Sequence, residues 1–413
     1  MQSGLDTALS AHQQLYLNSW HFLAFALAAV LVMRLLRRGP ARRLALLAFN
    51  LYFVYFFVSG WWSALFLVGC VLATWGVGEL QARLEDRLPA VFPVLLAIAM
   101  WMGLFFIKDP QLLPVVNPFH YAPVRIVGIS YIVFRCLQYM LDASVFESRG
   151  LLTLANFILF FPTLISGPIE RYENFQAWHD DRAHVEDPSL LPALHRIANG
   201  MIKKFVLADN LMAWSVYEWR PGDPWAVPLL WLGVLLQLAL LYLDFSGYCD
   251  IMIGIARLMR FKLCENFDRP WLAENIQDFW NRWHISLSRF IRDYVFTPLN
   301  VAILRRIPRR QQSPLVTLAY FFTMLLIALW HGTTWGFLLF GVCHGLALVL
   351  SQVLKTYGYA RLSAPAQQLL VRGRPARVAR AVLTYCFVSA TMLFWHFGVR
   401  QSLVILVRMF GGS

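Results

Sequence analysis

The chain has 413 residues, 59% of them hydrophobic and 14% charged, with a mean hydropathy of +0.55. Soluble domains carry about 25% charged residues, so this composition excludes a chain that covers itself with a polar surface in water and requires lipid as its solvent. The net charge of +13 sits in short basic clusters beside apolar runs, a distribution that argues against a nucleic-acid partner and fits the positive-inside rule.

A helix needs about 20 apolar residues to cross the hydrocarbon, and lipid forces every backbone polar group to pair internally. The alternation of barrel strands is absent. The expectation is an all-α, polytopic membrane protein of about 10–12 transmembrane or re-entrant helices, forming a single domain over residues 1–413.

Met1 to Ser19 is polar and lacks a basic region, so it does not read as a cleaved signal peptide. Trp20–Leu36 is then a retained span, followed by Leu44–Ser59, Trp61–Leu80, Val91–Ile107, Ile126–Leu141 and Leu151–Ile165. Phe161-Pro-Thr-Leu-Ile-Ser-Gly-Pro-Ile-Glu-Arg-Tyr172 closes the last of these with a helix break whose polar groups satisfy freed backbone. Tyr172 to Asn210 is polar, then amphipathic. Its end, Ala198 to Asn210, suits an interfacial helix with Lys203 and Lys204 toward head groups.

Trp225–Leu243 reads as a span. Leu243-Asp-Phe-Ser-Gly-Tyr-Cys-Asp250 reads as another break, with Phe245–Met259 a short or interrupted segment after it. Later spans are Leu315–Trp330, Trp335–Leu354 and Ala381–Val399. Placing Arg34–Arg43, Arg305–Arg310 and Arg372–Arg380 in the cytoplasm turns the N-terminus outward. The six cysteines contain no CxxC pair, so neither a disulfide framework nor a zinc site is indicated. No metal site is expected.

Glu274 to Tyr294, projected as one helix, gathers Ile276, Phe279, Trp280, Trp283, Leu287, Phe290, Ile291 and Tyr294 on one face. Asp278, Arg282, Arg289, Arg292 and Asp293 lie opposite, Ile285 is a misfit, and His284 falls at the edge of the apolar face. His331 directly follows the run Leu315–Trp330 and precedes Gly332-Thr-Thr334. An ionisable group there is costly and a functional candidate. His344 and His396, also in apolar runs, read as structural.

Neutral imidazole is the usual general base near pH 7. There is no G-x-S-x-G elbow, H-E-x-x-H pair or P-loop. A base without a protein nucleophile points to direct transfer, the histidine activating an acceptor hydroxyl toward a bound acyl group. A different reading of the same histidines is a transporter with a proton relay, against which the missing inverted repeat counts.

Phe161–Tyr172 (FPTLISGPIERY), Asp244–Asp250 (DFSGYCD), Asn266–Ser288 (NFDRPWLAENIQDFWNRWHISLS), Arg292–Leu299 (RDYVFTPL) and Leu329–Phe337 (LWHGTTWGF) resemble the membrane-bound O-acyltransferase family. The likeness is to its bacterial branch, which includes the alginate O-acetyltransferase membrane subunit and the D-alanyl transfer protein of teichoic acid modification. It is strongest over about residues 161–350.

The resemblance implies that His331 is the family's catalytic histidine and His284 its second active-site position. Asp244, Asn281 and Trp330, one in each of three motifs, stand as candidate substrate-binding residues. It further implies a helical ring around a thinned centre with a tunnel, in the inner membrane. No bound cofactor is implied; an acyl thioester, acetyl-CoA or the phosphopantetheine of an acyl carrier protein, would be the substrate. Membrane lipid, a polysaccharide acceptor and an extracytoplasmic SGNH-type partner complete the expected surroundings. Where the alginate-type pattern continues after Leu299 with Gly-Gly and a basic residue, this chain has Asn300-Val-Ala-Ile-Leu-Arg305, which leans toward D-alanyl transfer. The Asp244–Asp250 stretch leans toward acetyl transfer.

Overall fold

The computed structural model describes residues 17–36, 38–84, 95, 98–100, 102–103, 125–146, 149–180, 190–219, 223, 225–306, 308–358, 361, 363–368 and 373–412. The expected span Val91–Ile107 falls mostly outside the described residues. Those residues are overwhelmingly helical, and four helices are long and apolar enough to cross a membrane: Trp61–Arg83, Val227–Leu258, Trp335–Gly358 and Arg374–Met409. The protein is an all-α polytopic membrane protein. It divides into two compact units, one of Met1–Met201 with Tyr248–Cys264, the other of Ile202–Gly247 with Glu265–Ser413.

In the first unit, α1 (Trp20–Leu35), α2 (Pro40–Tyr55) and α3 (Trp61–Arg83) follow the expected spans closely. Every residue from Ile129 to Met140 of α4 (Ile129–Asp142) is buried, Arg135 and Gln138 included. The reason lies in α5 (Leu151–Leu159), which stops just before Pro162. Proline has no N–H to give the carbonyl four residues back, here that of Ile158. The N–H of Phe161 is likewise diverted, to Asn50 Oδ1 at 3.0 Å. Arg135 supplies both missing donors, its Nη1 reaching Phe157 O at 3.0 Å and Ile158 O at 2.6 Å. Its Nη2 holds the carbonyl and hydroxyl of Thr163. Glu170, buried in the same motif, accepts from Cys264 N at 2.8 Å, Arg171 N at 3.0 Å and Asn174 Nδ2 at 2.9 Å. The break at Phe161–Tyr172 is therefore held by side chains.

After α6 (Tyr172–His179) and α7 (Leu190–Met201), the chain continues helically through Met212. The lysines expected at head groups also meet other side chains. Lys204 pairs with Asp244, and the Lys203 ammonium sits 5.6 Å from the centre of the Tyr242 ring. This explains a correction. The Leu243–Asp250 stretch is no break: α8 is one unbroken helix, Val227–Leu258. Its carboxylates are compensated in place, Asp244 by Lys204 and Asp250 by Arg196 Nε at 3.0 Å, so helical backbone need not be given up to solvate them.

In the second unit, α9 (Ile276–Arg282), α10 (Ile285–Ile291) and α11 (Thr297–Arg306) precede a bundle of three long helices. These are α12 (Arg309–His331), α13 (Trp335–Val353) and α14 (Arg374–Met409). Glycine lets α12 and α13 meet backbone to backbone, as small residues do between membrane helices: a Cβ on Gly341 would lie 2.6 Å from that of Ala328. Polar groups join α14 to α8, Gln237 Nε2 donating to Ser389 O at 2.6 Å and Tyr385 Oη to Leu235 O at 2.9 Å.

Candidate active site

The stretch expected as one helix from Glu274 to Tyr294 is two short helices broken at Trp283–His284. Asn275 caps α9, its Oδ1 accepting from Asp278 N at 2.9 Å. The helix ends when Trp283 turns extended (φ −104°, ψ 128°) and pairs with Phe267 in an antiparallel bridge. On either side of that bridge Asp268 N donates to Arg282 O and Ile285 N to Asn266 O, both at 2.9 Å. The apolar face predicted for the helix is buried all the same except at Tyr294, and the misfit Ile285 is buried with it.

His284 occupies the break with φ +46° and ψ +52°, a left-handed conformation costing a side-chain-bearing residue roughly 1–2 kcal/mol. Such strain gathers where the surrounding structure over-determines a functional position. The ring is only 5% exposed. It lies outside the four long apolar helices, and burial pushes the imidazole down, to about 3, so it is neutral at pH 7. Its Nδ1 faces Asn266 Oδ1 at 3.2 Å. The Phe245 ring meets it edge-on, centroids 5.0 Å apart.

His331 is the last residue of α12, where Gly332 (φ 173°, ψ 171°) turns the backbone extended. Its ring lies 4.1 Å from Trp330 and 4.0 Å from Trp395, centroid to centroid. Trp330 is the joint of the arrangement, with His331 on one side and His284 on the other at 6.5 Å. A cavity of about 440 Å³ opens in the same unit. Trp280, Asn281 and Ile285 line it from α9 and α10, Tyr320, Met324 and Ile327 from α12, and Arg289 and Arg292 add cations.

Of the five residues singled out in the sequence, three converge: His284, Trp330 and His331. Asn281 lies on the cavity wall. Asp244 is not brought to the cluster, because its carboxylate is taken by Lys204. Sequence reasoning missed Asn266, although it opens the Asn266–Ser288 motif, and it placed Arg289 and Arg292 only among the charges opposite the apolar face.

His344, expected to be structural, is held differently. Its Nδ1 accepts from Trp280 Nε1 at 3.2 Å, and its Nε2 meets Thr391 Oγ1 at 2.8 Å. Both nitrogens are taken.

Comparison with known proteins places this geometry in a wider setting. The model of the membrane-bound O-acyltransferase family matches residues 49–392. The probable alginate O-acetylase of Azotobacter vinelandii is 34% identical over 244 residues, 58% of this chain and 47% of that protein. The peptidoglycan O-acetyltransferase of Helicobacter pylori is 34% identical over 219 residues, 52% of this chain and 40% of that protein. The teichoic acid D-alanyltransferase of Bacillus subtilis is 32% identical over 267 residues, 61% and 65% of the two. The chain spans about half the length of the curated relatives it matches.

Proposed function

The chain belongs to the membrane-bound O-acyltransferase family, and on that premise we propose that it is an inner-membrane enzyme moving an acetyl group from a cytoplasmic thioester to hydroxyls of an exported or cell-envelope polysaccharide. The observation that carries this reading is Trp330, whose indole packs against both histidines while a cavity reaches the helix that bears it.

His331 is the general base. It takes the proton of the acceptor hydroxyl as that oxygen attacks the thioester carbonyl. The carbon–oxygen bond forms, the carbon–sulfur bond breaks, and the proton passes from His331 to the departing thiolate, so that ester and thiol are the products. His284 positions the thioester or the acceptor. The cavity, apolar on the α12 side, suits the pantetheine arm of acetyl-CoA or of an acyl carrier protein, with Arg289 and Arg292 toward its phosphate. An SGNH-type partner outside the membrane completes delivery to the polymer.

A second reading, D-alanyl transfer from a carrier-protein thioester, is favoured by the 65% coverage of the Bacillus subtilis relative. One experiment separates them: base-labile ester on envelope and secreted glycans in a deletion strain complemented with nothing, wild type or His331→Ala. Acetate released only with wild type supports the proposal. D-alanine in that pattern keeps the mechanism and replaces the donor. Equal ester in all three strains removes the enzyme reading and leaves proton-coupled transport.

A further inference from the structure

Asn266 is fully buried, and its side-chain oxygen is the centre of a small network. It accepts from Ser286 N at 3.1 Å and from Ser286 Oγ at 2.8 Å, and it faces His284 Nδ1 at 3.2 Å. The amide orientation follows from chemistry. A backbone N–H is an obligatory donor, so the atom facing Ser286 N is the oxygen and not the nitrogen. An amide oxygen only accepts. Nδ1 of His284 must therefore carry the hydrogen of that bond. Since burial keeps the ring neutral, its single hydrogen is spent there and Nε2 holds a lone pair.

The backbone enforces the same choice. Asn266 also accepts Ile285 N through its carbonyl at 2.9 Å, so one residue grips the two residues that follow His284 and the imidazole itself. The left-handed backbone of His284 (φ +46°) is what turns the ring back toward Asn266 rather than along a helix face.

We propose that Asn266 is a positioning residue that holds His284 as the Nδ1–H tautomer, so that Nε2 receives a hydroxyl of a polyhydroxy acceptor and does not polarise the thioester carbonyl. This rests on the acyl-transfer reading above and decides between the two tasks left to His284 there. A carbonyl oxygen offers only lone pairs and needs a donor; Nε2 of this tautomer has none to give. The reacting hydroxyl's one proton goes to His331, so the hydrogen given to His284 comes from another hydroxyl of the same acceptor.

The test uses the full chain in detergent micelles with ¹⁵N-labelled histidine, the His284 signals being those lost in His284→Ala. Wild type should show a protonated Nδ1 and an unprotonated Nε2. Asn266→Ala should lose this single tautomer and, in the complementation assay, about 10²-fold of the ester formed, as expected when a positioning contact is misplaced. Asn266→Asp keeps an acceptor at the same place. It should retain the Nδ1–H signal and most of the transfer, while its negative charge makes His284 more basic and brings an acid limb into the pH dependence of transfer in isolated membranes.

An unprotonated Nδ1 in wild type, or an unchanged His284 tautomer in a folded Asn266→Ala protein, overturns the assignment. So does Asn266→Asp if it folds yet shows no Nδ1–H signal. A tautomer lost in Asn266→Ala with wild-type ester levels retained overturns the acceptor-binding role. If the tautomer responds as expected but wild type forms no ester, the acyl-transfer reading falls and the Asn266 assignment stands.

Discussion

His284 and His344 are both buried imidazoles in one compact unit, at 5% and 0% exposure, and their surroundings differ in kind. His344 stands in the unbroken helix α13, with an indole N–H on one nitrogen and a threonine hydroxyl on the other. Nothing about its backbone is strained. His284 stands where two helices part, in a left-handed conformation, gripped by a side chain 18 residues away and set beside Trp330. Burial alone does not mark a working histidine. Strain maintained by dedicated contacts, next to a cavity and a second histidine, is what supports the role proposed for His284.

That contrast can be broken by experiment, the most telling first. His331→Ala is expected to lower ester formation about 10²–10⁴-fold and His284→Ala about 10²-fold, with protein still found in the membrane by immunoblot. His344→Ala should instead cost about 1–3 kcal/mol of stability, because it leaves the buried Trp280 indole N–H without its acceptor. Its thermal midpoint should fall while transfer per folded molecule stays far above that of His284→Ala. A collapse of transfer in stable His344→Ala protein would put the two histidines in one class.

Acid tests the burial of His284 by itself. The His284 ring titrates at about 3 in the native state and near 6.5 in an unfolded chain. Below about pH 6.5 the unfolded state binds a proton that the native state refuses, so stability falls as pH falls, by up to about 1.4 kcal/mol per unit. Melting at pH 7.5 and pH 5 should show a smaller acid loss for His284→Gln than for wild type.

A finer test reverses sign between the sites. At His284, glycine should be more stable than alanine by about 1–2 kcal/mol, because glycine tolerates the left-handed backbone. Within α13, His344→Gly should be less stable than His344→Ala by about 0.5–1 kcal/mol. Equal order at both sites would mean that the His284 backbone carries no strain. Smallest of all, Arg289→Gln should weaken donor binding by about 0.2–1 kcal/mol, as expected for a solvent-exposed charge contact, read as a rise in KM for acetyl-CoA that shrinks with added salt.

Hydropathy located most of the helices because the requirement it measures, roughly 20 apolar residues to cross lipid, is local. Trp20, Trp61 and Trp335 open helices where the sequence places them. His331 was legible for the same reason: it ends an apolar run and a glycine follows. What periodicity misread was decided by distant partners. Asp244 and Asp250 look like a helix break until Lys204 and Arg196 are beside them. Conversely, Glu274 to Tyr294 looks like one helix until Phe267 pairs with Trp283 and Asn266 takes Ile285 N. The family motif flagged His284, but its conformation and its partner Asn266 were beyond any projection at 100° per residue.

The Arg135 cradle bears on how the protein is made. A guanidinium near the middle of an apolar helix costs about 2.5–3.5 kcal/mol to insert when it has no partner, which sets α4 (Ile129–Asp142) apart from the spans that can settle in lipid alone. Its compensation is the set of carbonyls of Phe157, Ile158 and Thr163, which lie downstream and leave the ribosome later. The expected outcome is that α4 and α5 enter the bilayer together as a hairpin, and that a chain truncated before α5 inserts α4 less efficiently in a translocation assay.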